Sequence, residues 1–278
     1  MTSSDSLFAS KDVPSSLMRQ TLLDRELVRP ATDRPVVRLL PRLCVITIGG
    51  RSIMDRGRDA VVPVVDELRA AFGEHPMLIA TGAGIRARHV IGVALDLGLP
   101  TGALASLAST EAEQNGHIVA ALLAEDGVSY LPHTSVSLQL AAHLAASPAA
   151  VSNGYPPYEM FEHPSAVGKI PAHRTDTGAF LIADAYGAAR AIYIKDVDGL
   201  YLTDPASAAE GEAEFVPRIS AAELIAMDLP SLPIDRLVPQ LMINAKHQKE
   251  IQIVNGLVPG NVTKALAGEH VGTIIYSD

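Results

Sequence analysis

The chain has 278 residues, 48% apolar and 19% charged, enough for one large domain or two closely packed lobes around a sizeable core. Its formal charge is −9 and no basic run occurs, which argues against nucleic acid or an anionic membrane as the main partner. No stretch reaches the ~20 apolar residues of a membrane-spanning helix, and Met1–Ser10 lacks the basic-then-apolar pattern of a secretion signal, so a cytoplasmic protein is expected.

Residues 1–38 are rich in serine near the start, then charged and broken by Pro30 and Pro35, and read as an arm outside the main domain at 39–278. The single cysteine, Cys44, sits in the apolar run Leu43–Ile48 and reads as a small core hydrophobe. Val45–Ile48 is a β-branched run that ends in Gly49-Gly50, the signature of a strand entering a tight turn. Asp59–Phe72 has the spacing of a helix, with Val61, Val62, Val65 and Leu68 on one side. Met77–Ala80 is a second buried strand, again closed by glycines at Gly82 and Gly84. Helices are expected over Arg86–Leu97, Glu111–Glu125 and Val136–Ala146, and Ala149–Val151 is at best a weak strand because two of its three residues are alanine. Residues 152–174 carry too many prolines and glycines for regular structure. A helix over Thr175–Tyr186 follows, with Thr175 as its N-cap. Next come a strand at Ala191–Ile194, two helical stretches within 220–248, and closing strands at Ile251–Val254 and Val271–Ile275. Strands alternating with helices predict an α/β fold with a mainly parallel sheet covered on both faces.

In such sheets ligands collect at the carboxyl ends of the strands. Glycine turns there let backbone N–H groups approach an anion, and a following helix N-terminus adds partial positive charge. One glycine pair after a strand is often only a turn, but Gly49-Gly50 and Gly82–Gly84 together point to a phosphate site. Read singly, Asp176 could serve only to complement a helix dipole. Lys195 could be a solvated strand-end lysine, and Asp198-Gly199 a plain turn.

The succession of Gly49-Gly50, Thr81–Gly84, Arg174–Gly178 and Lys195–Pro205 resembles the amino-acid-kinase family, a three-layer α/β/α sandwich. Val254–Gly260 with Gly268–Thr273 is similar to its uridylate kinase branch. Arg86–His89, Gln114–His117, Tyr155–Tyr158 and Pro171–Arg174 resemble the alpha type of the molybdenum-storage members, and Arg19–Leu22 with Arg29-Pro30 matches as well. The resemblance implies binding of ATP with Mg2+. Gly49, Gly50, Gly82 and Gly84 would lie around the phosphates, with Lys195, Asp198, Gly199 and Tyr201 near the nucleotide. Asp204 would shape the nucleotide loop, and Asp176 would be the acidic residue beside the transferred phosphate or magnesium. It further implies a hexamer, built from this chain alone or with a related subunit. Its interior would hold molybdate or tungstate as polyoxometalate clusters near His133 and His143.

Three departures bear on these implications. The family's first motif begins with lysine, and here Thr47 stands in its place; a hydroxyl cannot supply that positive charge, which argues against ordinary kinase activity. The histidine run expected after Tyr158 is replaced by Glu159–Glu162 with His163 following, and an expected glutamate is Pro132. The alternative reading is a uridylate-kinase-like nucleotide binder whose phosphoryl transfer is weak or lost.

Overall fold

Alternate residues of the central strands face opposite sides, so each strand feeds two cores at once. The computed structural model describes residues 37–162, 168–203 and 213–277; the expected arm, apart from residues 37 and 38, and Asp204 lie outside them. From Arg38 onward the chain forms one compact unit. Its elements run β1 (Cys44–Ile48), α1 (Arg58–Ala70), β2 (Met77–Thr81), α2 (Ile85–Asp96), α3 (Thr101–Leu122), β3 (Ser129–Tyr130), α4 (Val136–Leu144), β4 (Ala149–Asn153) and α5 (Thr175–Tyr186). They continue with β5 (Arg190–Lys195), β6 (Leu200–Tyr201), β7 (Phe215–Val216), β8 (Arg218–Ser220), α6 (Ala221–Met227), α7 (Leu237–Asn244), β9 (Glu250–Asn255), α8 (Asn261–Ala267) and β10 (Thr273–Tyr276).

Eight strands form one sheet in the order β3-β4-β2-β1-β5-β9-β10-β8, and β6 pairs with β7 as a separate hairpin. The six strands from β3 to β9 are parallel; β10 runs antiparallel to β9, with β8 parallel to β10. On one face Val45, Leu78, Ala191 and Tyr193 pack against Phe180 and Ala183 of α5, Leu140 of α4 and Met242 of α7. On the other Cys44, Ile46, Ile48, Ile79 and Ile194 pack against Val61, Val65 and Leu68 of α1 and Val262 and Leu266 of α8. Burial pushes the Cys44 thiol up to about 11, so it behaves as the expected core residue.

Three expectations change. β4 is a full five-residue strand between β2 and β3, fully buried. Alanine's weak strand propensity is overridden because both its faces are covered. The helix expected to begin at Glu111 begins ten residues earlier, at Thr101. Its serine and threonine hydroxyls bond back to carbonyls three residues earlier, Ser109 to Ser106 and Thr110 to Leu107, rather than competing with the helix from outside. Thr175 is the first helical residue of α5 rather than its cap, and Arg174 holds the cap position without a side-chain cap bond.

The chain leaves β1 for β2 and β4 on one side and later returns to β5 on the other. The carboxyl ends of β1 and β5 are therefore the point where the strand order reverses, the expected place for a ligand.

Candidate nucleotide-binding cleft

A cleft of about 380 Å³ opens at that reversal, lined by Gly49 to Ser52 after β1, by Lys195 to Val197 at the end of β5, and by Gly199 and Tyr201. The loop before α7 closes it through Ser231 to Pro233. Gly49 N–H continues the β1–β5 ladder by donating to Ile194 O at 3.0 Å. The Gly49 and Gly50 carbonyls then accept from the amides of Ile53, Met54 and Asp55 and wind the chain into a short 3-10 turn. Among the described residues, the amides of Gly50, Arg51 and Ser52 donate to no backbone carbonyl. Successive N–H groups without an acceptor form a concavity suited to an anion.

The second glycine turn lies behind the first and does not line the cleft. A Cβ on Gly50 would stand 2.2 Å from Gly84 N and 2.7 Å from Gly82 C, so the two turns are in backbone contact and only glycine fits between them. The N-terminus of α2 is also already satisfied: the Asp55 carboxylate accepts from Ile85 N–H at 2.6 Å. The partial positive charge expected there for a phosphate is met by the protein's own anion. Asn115, whose side-chain amide donates to Gly82 O at 2.7 Å, pins the turn from α3.

Behind the cleft lies a buried charge network. Lys195 Nζ contacts both Asp176 carboxylate oxygens, at 2.9 and 2.8 Å, with the two side chains 11% and 7% exposed. Asp176 Oδ2 also accepts from Asp235 N–H at 3.2 Å, and its carbonyl accepts from the Tyr193 hydroxyl at 3.1 Å. Asp235 caps α5 by accepting from Thr177 N–H at 3.3 Å and pairs with Arg174 at 2.9 Å. Burial, with the nearby Asp176 carboxylate, raises the Asp235 pKa; burial raises that of Tyr193 well above the usual phenol value. Asp235 was absent from the sequence reading. It lies 59 residues from Asp176, in a proline-broken loop between two helical stretches, where nothing local distinguishes it from Asp228.

Asp198 bonds to Asn255 Nδ2 at 2.8 Å and to the Tyr201 hydroxyl at 3.2 Å, tying the β5 turn to β9. Gly199 has φ +152 and a Cβ there would meet Thr273 Oγ1 at 2.2 Å, so the turn requires glycine. Asp196 is paired with Arg56 at 2.6 Å.

The two candidate histidines are not brought together within the chain. His133 is buried at the carboxyl end of β4, its Nδ1 2.9 Å from Asn153 Nδ2. The amide can only donate there, so the proton sits on Nε2. His143 lies at the other end of α4, and a nine-residue helix is about 13 Å long. No group of three or more His, Cys, Asp or Glu side chains suited to a metal occurs among the described residues.

Residues 42–255 match the amino acid kinase family. The chain belongs to that family. It is 45% identical over 267 residues to the molybdenum storage protein subunit beta of Azotobacter vinelandii, covering 96% of this chain and 98% of that one. The motifs resemble the alpha type, whereas this identity is to a beta subunit; the likeness to the storage branch is the same. A uridylate kinase of Methanothermobacter thermautotrophicus is 28% identical, with 84% and 99% of the two chains covered. The solved uridylate kinase of Archaeoglobus fulgidus superposes with TM-score 0.64 at 22% identity, over 84% of this chain and 99% of that one, and shares the fold.

Within this family member the cleft suits a nucleotide's phosphates better than it suits a magnesium ion. The bare glycine turn and its three open amides fit anionic oxygens. Magnesium is held through one or two carboxylates plus phosphates, and Asp196, which lines the cleft, and Asp176, bonded to its Lys195, are each already bonded to a cation.

Proposed function

We propose that this chain is a subunit of a cytoplasmic, hexameric storage assembly that holds molybdate or tungstate as polyoxometalate, and that its cleft binds ATP with magnesium. The observation that carries the reading is the 45% identity to a molybdenum storage subunit over 96% of the chain. The cleft at the β1–β5 reversal supports its nucleotide part. There the Gly50 to Ser52 amides would receive phosphate oxygens, and Asp176, locked to Lys195, would stand nearest the terminal phosphate. Gly199, Tyr201 and Asp198 would bound the base and ribose side, with Asp204 in the loop beyond. Gly82 and Gly84 would act by holding the first turn in place. Magnesium, when bound, would supply charge neutralisation at the phosphates, and it would need Asp176 or Asp196 to exchange its present partner.

The cargo is assigned to imidazoles and amides rather than to metal-bonding carboxylates. His133, with its proton on Nε2, can donate to an oxide oxygen. His143, at the far end of α4, can act only at a separate position. Assembly with like or related subunits is supported by exposed apolar side chains along α2 and just past its end: Ile85, Val93 and Leu97 are 60%, 49% and 69% exposed.

The test is loading with molybdate or tungstate and Mg-ATP, removal of free metal and measurement of what stays bound. Several metal atoms per chain are expected, with less retained in His133→Ala. No more metal than protein would refute storage. A second reading, a uridylate-kinase-like binder with weak or lost transfer, is favoured by the uridylate kinase relatives. It predicts nucleotide binding without metal retention. UMP phosphorylation is expected to be far below the roughly 1–100 per second of ordinary kinases, because Thr47 carries no charge.

A further inference from the structure

Among the described residues, every charged group that lines the cleft, save one, is already paired. Lys195 is held at 2.8 Å by Asp176, and Asp196 at 2.6 Å by Arg56. Arg51 is the exception. It is exposed, it lines the cleft, and among the described residues it forms no ion pair or side-chain hydrogen bond. Its own amide is the middle one of the three open N–H groups, so its guanidinium starts from the centre of the anion-receiving turn.

Thr47, in contrast, is buried in β1 at 1% exposure, flanked by Ala80 and Tyr193 on the neighbouring strands. The hydroxyl of Tyr193 bonds to the backbone of Asp176. The position where the family's first motif carries its lysine thus contributes no cation, and the two carboxylates beyond it, Asp176 and Asp235, are matched one for one by Lys195 and Arg174.

We propose that Arg51 supplies the positive charge for the nucleotide phosphates that the residue at Thr47 does not, moving the cation from inside the sheet to the rim of the glycine turn. This rests on the nucleotide reading given above. The geometry gives it two consequences. A rim guanidinium reaches phosphate oxygens in a bidentate fork, so it should favour tri- and diphosphates over the nucleoside. It is solvated and mobile, so it anchors phosphates without enforcing the fixed charge placement that phosphoryl transfer needs. A chain of this kind would hold ATP while turning it over poorly.

The test measures calorimetric affinity of the full-length protein for Mg-ATP, Mg-ADP and adenosine in the wild type, Arg51→Gln, Arg51→Lys and the double variant Arg51→Gln with Thr47→Lys. A charge-assisted contact predicts that Arg51→Gln weakens Mg-ATP by about tenfold or more. It should leave adenosine and the melting temperature unchanged and flatten the salt dependence of ATP binding. Arg51→Lys should fall between the two, and Thr47→Lys should restore part of the lost affinity. Equal Mg-ATP affinity in wild type and Arg51→Gln overturns the assignment. So does a parallel loss of adenosine affinity, which would mark Arg51 as shaping the cleft rather than contacting phosphate. If the wild type itself binds no nucleotide, the nucleotide reading fails and takes this inference with it, an outcome visible before any variant is compared.

Discussion

Asp176 and Lys195 stabilise each other in a place where neither could remain alone. A charge taken out of water is tolerated when its partner and its hydrogen bonds are all in place, and removing one partner is costly. Asp176→Ala should therefore lower the unfolding free energy by about 3–5 kcal/mol, read from urea denaturation midpoints. A loss below about 1 kcal/mol, the range of exposed pairs, would mean the pair is more solvated than its exposures of 11% and 7% indicate. Asp235 makes a prediction of opposite character. Burial and the Asp176 charge lift its pKa above the ordinary 3.8, against the pull of Arg174 and Lys195. The folded protein thus keeps a proton that the unfolded chain has already released. That contribution to stability is complete below the ordinary aspartate range and is lost as pH rises through the raised value. Asp235→Asn should flatten the fall in stability as pH rises above the ordinary aspartate value of 3.8. An unchanged slope in urea midpoints across that rise would contradict the assignment.

At the level of elements, three helices have their N-termini satisfied by carboxylates from elsewhere in the chain, and none of the three has a side-chain bond from its own cap residue. Asp55 serves α2, Asp235 serves α5, and Glu67 of α1 serves α8 by accepting from Gly260 N–H and Thr263 N–H, both at 2.8 Å. These contacts replace local capping and also tie each helix to its neighbour. Glu67→Ala should cost about 1–2 kcal/mol, as for loss of a good cap, and should speed hydrogen exchange at Gly260 and Thr263. Exchange unchanged at both amides would show that α8 does not depend on the carboxylate. The two glycine turns form another such joint. Gly50→Ala places a methyl 2.2 Å from Gly84 N, where backbone and not a flexible side chain must move. A loss of about 1–3 kcal/mol is expected, together with weakened ATP binding in a direct titration.

For the whole molecule the question is what covers α2. Val93 and Leu97, four residues apart at the end of α2, lie on one side, and both are exposed, as is Ile85 at its start. If α2 is an assembly surface, Val93→Glu with Leu97→Glu should shift the sedimentation coefficient toward that of the single chain while the circular dichroism of the fold is kept. An unchanged coefficient would place the contact elsewhere. Among the described residues no helix is long and apolar enough to cross a membrane.

The order of strands, glycine turns and helices was written in the sequence because each depends on neighbours within a few residues. β-branched runs such as Val45–Ile48 favour strands, Gly49-Gly50 favours a turn, and the period of Val61, Val65 and Leu68 favours a helix facing a core. The lysine missing at Thr47 was equally legible, since a charge is present or absent whatever the fold. The tertiary structure decided which groups meet. Asp176 finds Lys195 across 19 residues and the Asp235 amide across 59, and Asp55 reaches the start of α2 across 30. Long-range contacts of this kind leave no periodicity behind, because they are fixed by strand order and crossover rather than by local propensity. The family likeness placed both His133 and His143 near the cargo, and α4, already expected from the sequence, sets His143 at its far end from His133. The sequence offered Gly82 and Gly84 as phosphate ligands until the fold stacked them behind Gly50, with Asp55 already in the anion's place.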